Sequence, residues 1–429
     1  MKDSQLELIE VSRLRVGMYV HLDLGWTEHP FPFNSFKIKT DDQITTIRSL
    51  GLERVRYSPQ KSDPEDAPAD AAGSAPTKPV ETAAPAKSED DSEARHQRRQ
   101  QLLAQQASLE RAERQFSQAS RSYRAVLQAA RAQPEKAREE ALTLVRGMVG
   151  EMAGEREVAI RLLSEKAGEE SSLHALNVTV LSILLGRACG MDETQLNHIG
   201  IGAMLHDIGK LDLPDRLRWA DDPVSAAERR LYQQHVQSGV AIGQKMGLPA
   251  GALAILAQHH EHADGSGYPG ALKGGAITPE ARVVALVNQY DNLCNPGNPA
   301  QAMTPHDALA IIFARMRTHF DAATMAIFIR MMGVYPPGSV VQLTDGRYAL
   351  SVSVNPMRPL KPRVVIHDPA VPPEQALIID LETMPELGVQ RALKPLQLPR
   401  AVFDYLSPRK RMCYFFERSR DLGEGGAEA

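Results

Sequence analysis

The sequence predicts a mainly α protein, in which an all-α helical domain is flanked by a small N-terminal α/β module and a small β-rich C-terminal module. Three observations predict this arrangement. Residues 169–332 have the texture of successive helices broken by single glycines. Short apolar segments before residue 60 and after residue 335 are bounded by turn residues, as strands are. Between the first module and the helices, the composition shifts to Pro, Ala and acidic residues.

The N-terminal module, residues 1–60, is predicted to combine strands with one helix. Leu6–Ile9 and Met18–Val20 are short apolar segments around a turn, which predicts two strands. Asp41–Leu50 has the spacing of a short helix. Residues 61–92 then contain no Leu, Ile, Met or aromatic residue. Because such a segment buries too little apolar surface to offset its ordering entropy, we predict a disordered linker there.

Residues 93–167 are predicted to form a helical connector. Glu93–Ala132 contains no Gly or Pro and is rich in Gln, Arg, Ala, Glu and Leu, which favours a helix. Helical spacing resumes after Pro134 and continues over Glu135–Lys166. The irregular apolar stripe fits a weak coiled coil that forms a homodimer, and it fits a solvated helix beside a domain equally well.

The rest of the chain divides into a helical part and a strand-rich part. Residues 168–333 form the predicted helical domain, and residues 334–429 form the predicted β-rich C-terminal module. In the second part, short apolar segments alternate with turn residues such as Asp345 and Gly346. The predicted strands are Val340–Leu343, Tyr348–Val354, Arg363–Ile366 and Ala376–Ile379.

The composition excludes several classes of protein. A hydrophobic content of 43% and a charged content of 24% are ordinary for a soluble chain. The formal net charge of −4 and the absence of a broad basic stripe argue against nucleic-acid binding. No apolar stretch approaches the roughly 20 residues that span a bilayer, and the first residues lack the apolar segment of a signal peptide. Three widely spaced cysteines predict no disulfide framework, so we expect a cytoplasmic protein.

Thirteen histidines occur in the chain, and several of them gather around two motifs in the helical region. The first motif is His-Asp-Ile-Gly-Lys at His206–Lys210. The second is His-His-Glu at His259–Glu261, followed by Asp-Gly-Ser-Gly-Tyr-Pro at Asp264–Pro269. Glu170 and His174 lie upstream, one helical turn apart and therefore on one face, and His235 lies between the motifs.

Imidazole and carboxylate groups in this number indicate a site for divalent metals such as Fe, Mn, Ni or Zn. Neighbouring residues on a helix point about 100° apart, so an adjacent pair such as His206 and Asp207 can address two different ions. Two such ions lower the pKa of a water between them and clamp a phosphoryl oxygen, an arrangement used for phosphodiester hydrolysis. A single histidine is usually structural, whereas the whole set favours metal binding.

These motifs resemble the HD-GYP family, the branch of the HD phosphohydrolases that hydrolyses cyclic di-GMP. The resemblance runs from Glu170 to Met332 and rests on His206–Lys210, His259–Glu261 and Asp264–Pro269. Residues 8–57 are also similar to the small N-terminal domain that is often fused to this family.

The resemblance implies a role for each matched residue. Asp207 would bridge two ions and Lys210 would contact substrate phosphate, which makes these two the implied catalytic residues. Gly267, Tyr268 and Pro269 would shape the rim of the site, bind substrate and contact partner proteins of the GGDEF or another signalling type. The implied cofactors are two or three divalent ions, iron or manganese. The implied ligands are Glu170, His174, His206, Asp207, His235, His259, His260 and Asn288.

The sequence departs from the family in two places. Asn288 stands where the family has its last aspartate ligand, and a neutral amide holds cations less well than a carboxylate. Asp291, three residues later, matches an outer-shell aspartate of the family and offers a partial substitute. Residues 295–301 carry no positive charge where the family has an arginine-containing stretch that holds phosphates. Both departures predict reduced activity.

Two functions therefore follow from the sequence. The first is a metal-dependent phosphodiesterase that hydrolyses cyclic di-GMP to pGpG, GMP or both. The second is a weak or inactive HD-GYP domain that serves as a cyclic di-GMP receptor or protein scaffold. An HD-type hydrolase of another nucleotide is a third reading, which the Gly267–Pro269 loop disfavours.

Overall fold

A computed structural model describes residues 7–22, 35–38, 40–50, 52, 54–62, 89–153, 158–164, 170–218, 225–355 and 358–418. The chain divides into two compact units, residues 1–86 and residues 87–429. Most of the predicted linker, residues 61–92, lies outside the described residues. Among the described residues, no helix combines the length and apolar character needed to cross a membrane.

The first unit is a small α/β module, as predicted. Its strands form an antiparallel sheet in the order β1-β4-β2-β3, and the buried side chains of Val20, Leu22 and Ile47 belong to its own core. The predicted helix and the first two predicted strands are confirmed to within one residue at each end. The elements are β1 (Glu7–Glu10), β2 (Tyr19–His21), β3 (Ser35–Lys37), α1 (Asp41–Ser49) and β4 (Arg54–Ser58).

The second unit contains most of the helices. Several helices begin at residues that cap their free backbone groups. Asp192 and Gln195 cap each other at the start of the helix Glu193–Leu205, and Ser225 and Glu228 do so at the start of the helix Ala226–Met246. The helices are α2 (Glu89–Ala129), α3 (Pro134–Ala153), α4 (Glu170–Ala188), α5 (Glu193–Leu205), α6 (Asp215–Arg218), α7 (Ala226–Met246), α8 (Ala250–Gln258), α9 (Pro279–Cys294), α10 (Pro305–Arg315), α11 (Ala322–Met332) and α12 (Arg400–Leu406).

The same unit contains an antiparallel sheet in the order β10-β6-β7-β5-β11, with β8 paired to β7 and β9 paired to β8. All four strands predicted after residue 335 are present, the last one shifted by two residues at its start. The strands are β5 (Val158–Leu162), β6 (Val340–Leu343), β7 (Tyr348–Val354), β8 (Arg363–Ile366), β9 (Ile378–Asp380), β10 (Val389–Leu393) and β11 (Tyr414–Arg418).

The helix predicted over Glu135–Lys166 is wrong in its second half, because α3 ends at Ala153 and β5 follows. All five residues of β5 are buried between β7 and β11, and local spacing does not distinguish such an apolar run from a buried helix. Its only charged residue, Arg161, forms an ion pair over 3.5 Å with Glu417 of the neighbouring strand β11. Pairing with distant strands therefore decides the conformation of this segment.

Helix α2 is partly a core helix of its own unit. It begins at Glu89, within the predicted linker, and its C-terminal half buries Phe116 and Val126 completely. The ring of Phe116 packs edge-on against Phe415 of β11, with ring centres 6.0 Å apart. The helices and the strands β5 and β11 thus share one hydrophobic core. Helix α4 lies in its middle and packs against α5, α9 and β11.

Candidate metal centre

Side chains from four helices converge at one place in the second unit. His174 lies on the second turn of α4, His206 and Asp207 directly follow α5, and His235 lies in the middle of α7. His259 and His260 directly follow α8. Ligand atoms of these residues fall into two groups that share Asp207, and within each group they lie within 4.8 Å of one another. The structure thus brings together six of the eight predicted ligands.

The first group consists of His174, His206 and one oxygen of Asp207. The Nε2 atoms of His174 and His206 are 3.2 Å apart. Asp207 Oδ2 lies 3.3 Å from His206 Nε2 and 3.8 Å from His174 Nε2. Three potential ligand atoms therefore surround one point.

The second group consists of His235, His259, His260 and the other oxygen of Asp207. Asp207 Oδ1 lies 3.5 Å from His235 Nε2 and 4.0 Å from His259 Nε2. The Nε2 atoms of His235 and His259 are 3.4 Å apart. Because each carboxylate oxygen faces a different group, Asp207 has the geometry of a bridging ligand.

Hydrogen bonds on the far side of the rings orient four of the imidazoles. The Nδ1 atoms of His206, His235 and His259 each donate to the backbone carbonyl three residues earlier, over 2.6 to 2.9 Å. His174 Nδ1 donates instead to Asp291 Oδ2 over 2.7 Å. A carbonyl only accepts, so the ring proton lies on Nδ1 and the lone pair of Nε2 faces the cluster. This is the tautomer that binds a metal through Nε2.

The unpaired polar atoms of the cluster indicate that it binds a divalent cation. Two pairs of Nε2 lone pairs face each other at hydrogen-bond distance, although the protons of these rings are held at Nδ1. Among the described residues, the buried atoms Asp207 Oδ1 and His260 Nε2 have no hydrogen-bond partner. Buried polar atoms are normally paired, and a cation would satisfy all of these atoms together.

The protonation states favour a cation as well. Burial alone would raise the pKa of Asp207, but Lys210 and His206 hold it well below its ordinary value. Burial lowers the pKa of His235, and it lowers the pKa values of His259 and His260 well below the ordinary one. The second group therefore presents an ionised carboxylate and the three neutral imidazoles of His235, His259 and His260.

Gly209 lets the backbone carrying His206–Lys210 approach α7 closely. A side-chain carbon at Gly209 would overlap the backbone oxygen of His235 and the backbone nitrogen of Gly239. Only glycine tolerates this approach, which brings Asp207 and His235 onto the same centre.

Lys210 lies beside the cluster. Its Nζ is 2.7 Å from Asp207 Oδ2 and 5.2 Å from the ring centre of Tyr232. Burial alone would lower the pKa of Lys210, but Asp207 raises it, so the ammonium group is charged. Tyr232 also packs its ring against His235 at 4.9 Å between centres, a role that no motif indicated.

The loop of Asp264–Pro269 folds back over the cluster. The ring of Tyr268 stacks on His260 with centres 4.5 Å apart, and its backbone nitrogen donates to the His260 carbonyl. Gly267 packs against the backbone of residues 260–262 so closely that a side-chain carbon would overlap it. The predicted rim residues Gly267 and Tyr268 therefore adjoin a candidate ligand.

Glu261 holds this loop in place. Its buried carboxylate accepts hydrogen bonds from the backbone nitrogens of Gly270 and Leu272, over 2.6 and 2.8 Å. This role of Glu261 was not predicted from the sequence, although a carboxylate inside a histidine motif was a signal for one.

Three other residues predicted for the site, Asp291, Asn288 and Glu170, are not members of the two ligand groups. Asp291 is fully buried and bonds to His174 Nδ1, which is an outer-shell position. Asn288 is buried on α9, and its side-chain oxygen accepts a hydrogen bond from Asn292 over 3.0 Å. The side chain of Glu170 lies outside the part of the chain that the structure describes.

Comparison with known proteins agrees with this geometry. A profile of the HD domain matches residues 157–324, and a profile of a domain of unknown function, DUF3391, matches residues 6–141. Residues 157–324 therefore match the HD-domain family. The resemblance stated from the motifs is thus confirmed. The DUF3391 match runs from the N-terminal module into α3, across three predicted segments.

Three curated relatives of this chain have names that refer to cyclic dinucleotides. It is 26% identical over 367 residues to cyclic di-GMP phosphodiesterase PA4108 of Pseudomonas aeruginosa, covering 84% of this chain and 85% of that protein. It is 30% identical over 209 residues to cyclic di-GMP phosphodiesterase response regulator RpfG of Xanthomonas campestris pv. campestris, covering 47% and 55%. It is 29% identical over 167 residues to 3'3'-cGAMP-specific phosphodiesterase 2 of Vibrio cholerae, covering 38% and 32%.

Proposed function

We propose that this protein is a metal-dependent phosphodiesterase that hydrolyses cyclic di-GMP to pGpG, GMP or both. One observation carries the proposal: two ligand groups share Asp207, one on each of its oxygens, within an HD-GYP domain. The names of PA4108 and RpfG support the substrate. Phosphodiester hydrolysis is the chemistry that paired divalent ions favour.

The bound metals are proposed to be two or three divalent ions, iron or manganese. Histidine nitrogen and carboxylate oxygen without thiolate suit these borderline metals. When bound, the metals would supply a water of lowered pKa and would neutralise charge on a phosphate. A third ion at Glu170 is part of the proposal, as the resemblance implies.

The residues of the chain contribute orientation and charge. Asp207 holds one carboxylate between the two groups, and the Nδ1 hydrogen bonds fix the imidazoles in advance. Lys210 places a protonated amine beside Asp207, where it attracts a substrate phosphate. Tyr268 excludes water from one face of His260 and forms the rim against which the dinucleotide binds.

A second candidate function has a specific observation in its favour. Asn288 replaces the family's aspartate, and its oxygen already accepts a hydrogen bond from Asn292. Residues 295–301 add no cation for phosphate. A weak or inactive domain that binds cyclic di-GMP as a receptor or scaffold would show both features. Partners at the Gly267–Pro269 loop and a homodimer remain predictions.

Turnover by the full-length protein decides between the two functions. We expect Mn- or Fe-loaded protein, purified without oxygen, to convert cyclic di-GMP to pGpG or GMP. Asn288→Asp should raise the rate, because it restores a negative charge near the ions. Binding of cyclic di-GMP without product, and no gain from Asn288→Asp, would establish the receptor instead. Parallel reactions with 3'3'-cGAMP identify the preferred substrate.

A further inference from the structure

Two asparagine side chains connect the metal centre to the C-terminal strand, and they are fully buried at Asn177 and partly buried at Asn295. Asn177 lies on α4, one turn after His174, and is fully buried. Its Nδ2 donates to Asp291 Oδ1 over 2.8 Å and to the Met412 carbonyl over 2.7 Å. Its Oδ1 accepts from the backbone nitrogen of Tyr414 over 2.9 Å. Every polar atom of this side chain is therefore used.

Asn295 repeats this arrangement from the end of α9. Its Nδ2 donates to Asp291 Oδ1 over 2.9 Å and to the Met412 carbonyl over 2.9 Å. Its Oδ1 accepts from the backbone nitrogen of Met412 over 2.7 Å. Asn295 is the first residue of the stretch that lacks the family's positive charge. In this chain, it fastens the segment that leads into β11.

The side-chain amides of Asn177 and Asn295 fix the orientation of the Asp291 carboxylate toward His174. Asp291 is fully buried, and its Oδ1 receives both amide donors while its Oδ2 accepts from His174 Nδ1. With Oδ1 held from two sides, the carboxylate does not rotate away from the imidazole. Outer-shell hydrogen bonds of this kind orient a ligand and raise its basicity.

We propose that Asn177 and Asn295 are positioning residues of the metal centre, and that the Met412–Tyr414 backbone completes its outer shell. The HD-domain match ends at residue 324, so this shell extends beyond the matched region. The inference rests on the proposed metal binding and deepens it. It predicts that the C-terminal module supports the group of His174, His206 and Asp207, and not the group of His235, His259 and His260.

The alternative is that the asparagines only fasten the strand, and a double-mutant cycle separates the two roles. In the full-length protein, Asn177→Ala and Asn295→Ala should each weaken one bound ion by about 10-fold, as outer-shell substitutions do. The second ion should keep its affinity. Asn298→Ala, at an exposed turn of the same segment, is the matched control and should change neither. Mn(II) and Co(II) affinities from chelator competition, with the Co(II) absorption spectrum, provide the readout.

The cycle uses His174→Ala as the second substitution. If the asparagines act through His174, adding Asn295→Ala to His174→Ala produces no further loss of metal affinity. Unchanged affinities in both single variants, or an equal loss in the His174→Ala background, would overturn the inference. A wild-type protein that binds two ions but does not hydrolyse cyclic di-GMP would overturn the proposed function and leave this inference standing. A wild-type protein that binds neither Mn(II) nor Co(II) would overturn both.

Discussion

At the scale of single residues, Asp207 is the side chain on which both ligand groups depend. Each of its oxygens faces a different set of imidazoles, and its charge is maintained despite burial. The family resemblance implied this bridging role, whereas helix geometry alone predicted that His206 and Asp207 can address two different ions. The backbone hydrogen bonds that fix the ring tautomers were not predictable from spacing alone, since they depend on how each helix ends.

Asp207→Asn should remove most metal binding while it preserves the shape of the site. An amide supplies no charge to either group, so we expect metal affinity to fall by more than about 100-fold, beyond the ~10–100-fold typical of outer-shell substitutions. Metal analysis after dialysis measures this. Asp212→Asn, at an exposed ion pair with Arg131 nearby, is the matched control and should retain its metal. Equal metal content in the two variants would contradict the bridging role.

The lowered pKa values of the histidines predict a pH dependence of the apoprotein. His259 and His260 have pKa values well below 6.5 when folded, whereas the unfolded chain has the ordinary value. As the pH falls below about 6.5, the unfolded state binds protons that the folded state does not, so the free energy of unfolding falls. The loss is at most about 1.4 kcal/mol per histidine for each pH unit.

Urea unfolding of chelator-treated protein between about pH 7.5 and about pH 5.5 measures this dependence. The combined substitutions His259→Gln and His260→Gln remove the two groups and should flatten the curve. If the wild-type protein is as stable at the lower pH as at the higher one, the histidines are not held neutral by burial.

At the scale of elements, close backbone approaches bring the ligands together. Gly209→Ala should be destabilising by about 1–3 kcal/mol, because its side-chain carbon would push the 208–212 turn away from α7. Gly147→Ala provides a contrast of opposite sign: it lies within α3 with open space around it, and should stabilise by about 0.5–1 kcal/mol. Denaturant unfolding of both variants tests the pair. Destabilisation of equal size in both would show that the approach to α7 is unimportant.

The loop over His260 allows a similar comparison for function. Gly267→Ala should displace Tyr268 from His260, because the added carbon overlaps the backbone of residues 260–262. We expect kcat/KM for cyclic di-GMP to fall at least about 10-fold, since small misplacements at an active site are costly. Gly275→Ala, in the same loop region with no atom within 4 Å of the added carbon, should leave kcat/KM unchanged. Similar kinetics for both variants would remove the loop from the substrate site.

At the scale of the whole molecule, the features that short segments encode could be predicted from the sequence, and those that depend on contacts between distant segments could not. The helical texture and the strands β6 to β9 are each encoded within short segments, and they were predicted correctly. The histidine motifs are just as local, and their side chains lie together in the structure. The strand β5 owes its conformation to β7 and β11, which lie far along the chain. The hydrogen bond from Asn177 to the Met412 carbonyl likewise joins two segments that are distant along the chain. No spacing rule connects residues so far apart.

Removal of the metals tests whether ligands from distant segments of the chain contribute to the stability of the fold. The two ligand groups join α4, α5, α7 and α8 around buried atoms that a cation satisfies, so the metals should stabilise the folded chain. For one site with free metal at about 100 times its dissociation constant, linkage predicts about 2.7 kcal/mol. Calorimetry of the full-length protein with and without chelator should therefore show a lower Tm without metal. His206→Ala, which breaks the first group, should show a smaller difference. If the chelator does not change the Tm of wild-type protein that has been shown to bind metal, the cluster binds ions without stabilising the contacts between the helices.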